Sequence, residues 1–283
     1  YRDSLEQDLN NFYLQPHFTF VNDRFRVKLG ANVVTHNDEY SFFPQVEATV
    51  PILGSRFTVF VGADGSLQKN TMQTMSDYNP FIGTFGSLKL RNTQFIDYYG
   101  GVKGNFSGFE YLGRLGYKQV EDLALYNLNY SGIKRSVVPY DFVNEFDDGT
   151  IFYINGSLTT PEFKGLSLLG NISSRIYNMD NAEKPWHLPA LTLNGTVNYK
   201  LLKGKASVRA SVFVENGVDY RTETGETESL NGLFDLSVGA DYQVVKNFGL
   251  FLDVFNLANN KRQRWANYPT YGINVLLGAS AKF

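Results

Sequence analysis

Three histidines, His17, His36 and His187, are the side chains of this sequence best suited by type to proton transfer or metal binding, and no cysteine accompanies them. Without thiols there is no disulfide framework, no thiolate metal site and no cysteine nucleophile. The histidines lie far apart, and none stands in a ligand spacing such as HExxH. A Ser–His or Asp–His partnership needs only closeness in space, so spacing leaves it open. A histidine hydrogen-bonded to polar neighbours is the ordinary reading. The glycine-rich stretches GADG (62–65) and GGVKG (100–104) lack the strand–loop–helix setting that a phosphate cradle needs. Glycine in a strand more often marks a bend or a close approach. We therefore expect no catalytic residue, no metal and no cofactor; the protein reads as something other than an enzyme.

The charged residues are more informative. Lys103, Arg114, Arg175, Arg209, Asp235, Asp241 and Asp253 all fall in phase with Asn, Ser, Thr and Gly in segments whose other phase is apolar. Their signs are mixed, so no single-sign selectivity ring emerges. They suit cross-strand pairing or a generic polar wall. The net charge of −2 and pI near 6.0 exclude a nucleic-acid footprint. A second group, Trp186, Arg262, Arg264 and Trp265, joins Met72, Met75, Tyr78 and Phe81 in the longer connections. There they could meet an external partner or pack on one another.

The elements that must position these residues are strands. In 205–215, Ala206, Val208, Ala210, Val212 and Val214 alternate with Lys205, Ser207, Arg209, Ser211, Phe213 and Glu215. In the last residues, Ile273, Val275, Leu277, Ala279, Ala281 and Phe283 alternate with small or polar residues, Leu276 excepted. Such a period of two places successive side chains on opposite faces of a strand. Further segments of this kind are 12–20, 25–33, 43–52, 57–67, 95–106, 109–118, 151–159, 166–177, 191–201, 230–244 and 248–257. Including the last, thirteen are expected. They run longer than the usual five or six residues and match the roughly 9–11 of a tilted membrane-spanning strand. Mean hydropathy is −0.25, and no apolar run reaches the roughly 18 residues of a spanning helix.

Connections alternate between short (VNDR, LGSR, FSG, PEFKG, LKG, VKN) and long (about 35–41, 68–93, 119–150, 178–189, 217–229 and 258–269). Short turns on one rim and long loops on the other is the layout of an outer-membrane barrel. Aromatics close the apolar faces at both ends, as in Phe12 and Phe20, Tyr98 and Phe106, Phe109 and Tyr117, which suits two membrane–water interfaces. A barrel is also the one sheet whose backbone can be satisfied in lipid. The sequence predicts an all-β chain: a transmembrane, antiparallel, up-and-down β-barrel of the bacterial outer membrane, with about 13–14 strands. Its C-terminus is periplasmic, its long loops extracellular, and its first partner is outer-membrane lipid. The acidic residues 1–10 read as a loop.

The end of the chain, LFLDVFNLANNKRQRWANYPTYGINVLLGASAKF (250–283), resembles the C-terminal end of TonB-dependent receptors. Asn256 and Leu257 match the family's Asn-Leu motif after the penultimate strand. Tyr268, Pro269 and Gly272 precede a last strand that ends on Phe283. Ile273 stands where the family has Arg, and Ala258 where it often has an aromatic. The resemblance implies that Phe283 is an assembly signal read by the barrel-assembly machinery. It further implies a barrel of twenty-two strands with an upstream plug and a TonB-contacting segment, of which residues 1–283 are the C-terminal portion. Single-chain bacterial barrels are even-numbered, so an odd count of thirteen means either one strand miscounted or further chain upstream. The function implied is import of a bulky nutrient. A passive pore, or a structural barrel that binds a surface lipoprotein or another envelope subunit, is the alternative.

Overall fold

The structure is a computed structural model, and it describes residues 11–36, 39–83, 90–130 and 141–282. One antiparallel sheet dominates it. In chain order its strands are β1 (Asn11–Leu14), β2 (His17–Val21), β3 (Arg26–His36), β4 (Glu39–Pro51), β5 (Thr58–Gln68), β6 (Thr93–Phe106), β7 (Phe109–Leu128), β8 (Phe142–Thr159), β9 (Leu166–Met179), β10 (Leu191–Leu201), β11 (Ala206–Glu215), β14 (Leu233–Val245), β15 (Phe248–Phe255) and β18 (Asn274–Ala281). From β2 onward each strand of the sheet pairs with the next one in chain order. β1 and β2 lie end to end along β3, so the sheet is thirteen strands wide, as the alternation predicts. Among the described residues β18 pairs with β15.

Local chemistry sets these elements. Pro16 separates β1 from β2, because a proline has no N–H to give the ladder; its carbonyl instead accepts from Ala31 N–H at 3.1 Å. Pro44 ends the β4–β5 pairing, which runs from Gln45 to Pro51. Ser107 (φ 52°) and Gly108 (φ 85°) form a two-residue turn with both φ values positive, the geometry that fits the twist of a hairpin. Asn105 Oδ1 steadies it by accepting from Gly108 N–H at 3.1 Å.

The long connections carry structure of their own. Helix α1 (Met72–Tyr78) starts on a reciprocal cap between Thr71 and Thr74. Two small hairpins, β12 (Asp219–Arg221) with β13 (Thr227–Ser229) and β16 (Gln263–Trp265) with β17 (Tyr268–Pro269), sit in connections that alternation leaves as loop. A larger difference concerns 119–150: β7 continues to Leu128 and β8 begins at Phe142. A strand of 20 residues outruns an apolar band about 25 Å tall even when tilted. The far ends of β7 and β8 therefore stand beyond the neighbouring strands; one buried cluster, Val34, Phe43 and Leu67, lies on β3–β5, and two others gather at those far ends. Tyr126, Leu128, Phe142, Trp265 and Ala266 form one cluster, and Leu125, Ala182 and Trp186 another.

Candidate functional site

The register assigns each side chain to a face. Asp97 lies opposite Lys118, and Arg114 opposite Gly101 on one side and Asn155 on the other. Tyr153 pairs with Arg175, Asn198 with Arg209, and Gly239 with Asp253. Followed strand by strand, the pairs put Lys103, Arg114, Arg175, Arg209, Asp235, Asp241 and Asp253 on one face of the sheet. The opposite face is apolar and open, with Leu115, Ile154, Ile172, Ile176 and Val275 each more than two-fifths exposed. Phe12, Phe20, Tyr98, Phe106, Phe109 and Tyr117 are exposed as well. An apolar face of this extent is not left to water in a soluble monomer.

The polar face is wired by charge. Arg114 Nη2 donates to Asp97 Oδ2 at 2.7 Å, and Tyr153 O–H donates to the same carboxylate at 2.8 Å. The Arg114 guanidinium lies over the Tyr99 ring, 3.7 Å from its centroid, and Tyr99 O–H donates to Glu47 Oε2 at 2.9 Å. Lys103 sits over Phe60 and Lys118 over Phe95. Glycines make room for the rings. A Cβ on Gly62 would come within 2.7 Å of the Tyr99 ring, and one on Gly116 within 2.5 Å of Tyr153. Because Gly62 pairs with Tyr99, Tyr99 with Gly116 and Gly116 with Tyr153, the rings lie flat along the wall. Charge alone does not single out Tyr99 and Tyr153 in the sequence, although their phase, shared with Asp97 and Asn155, places them here.

Further along, Arg209 Nη2 bonds Asp253 Oδ1 at 2.7 Å. A cavity of about 250 Å³ opens beside them, lined also by Thr196, Phe213, Asp235 and Ser237. Asp241 accepts from Ser207 at 3.3 Å. His17 is exposed on the polar face, its Nδ1 3.4 Å from the Gln15 carbonyl. Residue 36 belongs to β3, but its side chain lies outside the described residues, as do Phe283 and residues 1–10.

The loop residues turn inward. Trp186 is wholly buried and Trp265 is 5% exposed, so neither is free for an external partner; they pack the connections together. Rings of Tyr78, Tyr126, Phe142 and His187 surround Trp265 with centroids 5.3–5.6 Å away. Arg264 ties four segments: its Nε meets Glu215 at 2.8 Å, Nη1 the His187 carbonyl at 3.1 Å and Nη2 the Tyr78 hydroxyl at 2.9 Å. Arg262 alone of the four predicted loop contacts is exposed. His187, also fully buried, places Nδ1 2.7 Å from the Tyr126 carbonyl and accepts from Ala266 N–H at Nε2, 3.4 Å away. Burial lowers its pKa to about 4, which keeps it a neutral structural link.

No protein-family model and no curated protein matches the sequence. Solved structures do. The pyoverdine outer-membrane receptor FpvA of Pseudomonas aeruginosa matches at 14% identity and a TM-score of 0.67, over 96% of this chain and 42% of that one. The ferric-catecholate import receptor Fiu of E. coli K12 matches at 12% identity and a TM-score of 0.70, over 97% and 45%. The copper transporter OprC matches at 15% and 0.67, over 96% and 47%. The chain thus spans less than half the length of these structures. They are TonB-dependent transport receptors, and this chain has the fold of part of their outer-membrane β-barrel.

Proposed function

We propose that residues 1–283 are the C-terminal portion of a receptor barrel in the bacterial outer membrane that imports a bulky nutrient, with a plug domain and a TonB-contacting segment upstream. The observation that carries this reading is the division of one continuous sheet between an open apolar face and a polar face with paired charges. Lipid meets the first, and the second lines a lumen for a plug or a passing solute. The structural neighbours are named for pyoverdine, ferric-catecholate and copper, which favours a scarce, chelated nutrient as cargo. In this reading the short turns and C-terminus are periplasmic and the packed loops extracellular. Phe283 then serves the barrel-assembly machinery.

The test is the intact mass and N-terminal sequence of the protein extracted from outer membranes. The receptor reading expects a mass well above 32.0 kDa, with further strands and a plug in the added sequence. A mass of 32.0 kDa together with ion conductance from that chain alone in planar bilayers would replace the receptor with a passive pore.

A further inference from the structure

The short-turn rim differs from the rest of the molecule in charge. Between consecutive strands it carries six basic residues, Arg24, Arg56, Lys164, Lys203, Lys205 and Lys246, all exposed, against two acidic ones, Asp23 and Glu162. Glu162 is already held by Lys200 at 2.5 Å. The whole chain has a net charge of −2, so the excess is local to this rim. The long-connection rim mixes signs, as in Asp219, Glu223, Glu226 and Glu228 beside Lys261 and Arg262.

Apolar side chains stand among these cations. Val21, Leu53, Phe163, Leu202 and Val245 are each about three-fifths exposed or more, at the same turns. Arg56 lies over the Phe106 ring at 5.8 Å and Lys164 over Phe163 at 5.4 Å. A turn that offers an apolar tip with a cation beside it matches a bilayer boundary, where the tip enters the acyl region and the cation meets phosphate.

We propose that this rim binds the phosphate-bearing headgroups of anionic phospholipid in the leaflet it faces. Charge complementarity selects this occupant: each basic residue close to an anionic leaflet gains about 1 kcal/mol, roughly a fivefold preference. The inference rests on the membrane-barrel reading given above.

The experiment reconstitutes the full-length protein in nanodiscs of equal phosphatidylethanolamine and phosphatidylglycerol and counts retained lipids by native mass spectrometry. Phosphatidylglycerol should exceed phosphatidylethanolamine by about fivefold or more, and added inorganic phosphate at millimolar concentration should leave that ratio unchanged. The variant combining R24Q, R56Q, K164Q, K203Q, K205Q and K246Q should bring the ratio near one, with K261Q/R262Q on the opposite rim as the control that retains it. Should that combined variant fail to fold, R56Q/K164Q should lower the ratio measurably. Equal retention by the wild type, or a ratio unmoved by the rim variants, overturns the proposal while leaving the barrel intact. Recovery of an acidic protein on this rim with no lipid preference overturns it in favour of a protein partner. Failure of the protein to insert at all overturns the membrane reading, and this inference with it.

Discussion

Arg264 and Glu215 form an ion pair of 2.8 Å whose side chains are only 18% and 7% exposed, and that pair fastens the β16–β17 hairpin to the end of β11. Removing one partner of a buried pair leaves a desolvated charge, which costs on the order of 3 kcal/mol. Glu215→Ala should therefore loosen the packed loops and lower the unfolding temperature. Arg264→Lys should lie between that variant and wild type, since an ammonium cannot reach Glu215, the His187 carbonyl and Tyr78 together. Limited proteolysis of the long connections in the purified protein reads the loosening directly.

The two ion pairs of the polar wall should differ. Asp97 is 8% exposed and also accepts from Tyr153, so Asp97→Ala should cost about 2–3 kcal/mol. Arg209 is 45% exposed, and screening should hold Arg209→Ala to less than about 1 kcal/mol. Urea unfolding in detergent, with a double-mutant cycle for each pair, measures both.

Gly116 is required by the ring above it. Gly116→Ala places a methyl against the Tyr153 ring and pushes its hydroxyl off Asp97, at an expected cost of about 1–3 kcal/mol. Gly170→Ala is the control, because its nearest side-chain neighbour is 4.0 Å away; it should be close to neutral in the same urea experiment.

His187 sets a pH dependence. Its pKa falls from 6.5 to about 4 on folding, through burial, so the unfolded chain binds the extra proton between those values. Stability is fully present above pH 6.5 and is lost as pH falls toward 4, by on the order of 3 kcal/mol. His187→Gln should flatten the slope of unfolding free energy between pH 4 and 6.5.

Strands were legible in the sequence because alternation is a local signal. The segment 191–201, read from Leu191, Leu193, Val197 and Tyr199, returns as β10 with the same bounds. The outer half of β7 was not legible. A bulge between Val120 and Leu123, with Asp122 at φ 52°, shifts the phase there, and a period-two reading stops where the phase changes. The loop core was hidden for another reason: Arg264 and Tyr78 are 186 residues apart, and nothing local in either segment announces the other. Loop composition alone made Trp186 and Trp265 look like outward contacts, whereas burial of their rings holds the loops together. The seven wall charges were readable as a set because phase carries through a continuous ladder. Which of them pair was not, since pairing across three strands depends on register.

One face of the sheet should meet lipid and the other water, and strand β10 offers the sharpest experiment. The protein has no cysteine, so each introduced thiol is unique. Single variants Leu191→Cys, Leu193→Cys and Val197→Cys, set against Thr192→Cys, Asn194→Cys and Thr196→Cys, would be assayed in outer membranes with a water-soluble thiol reagent and with a lipid-dissolved quencher of an attached fluorophore. Strict alternation is expected: odd positions quenched from lipid and closed to the aqueous reagent, even positions the reverse. Equal aqueous labelling at all six would contradict it.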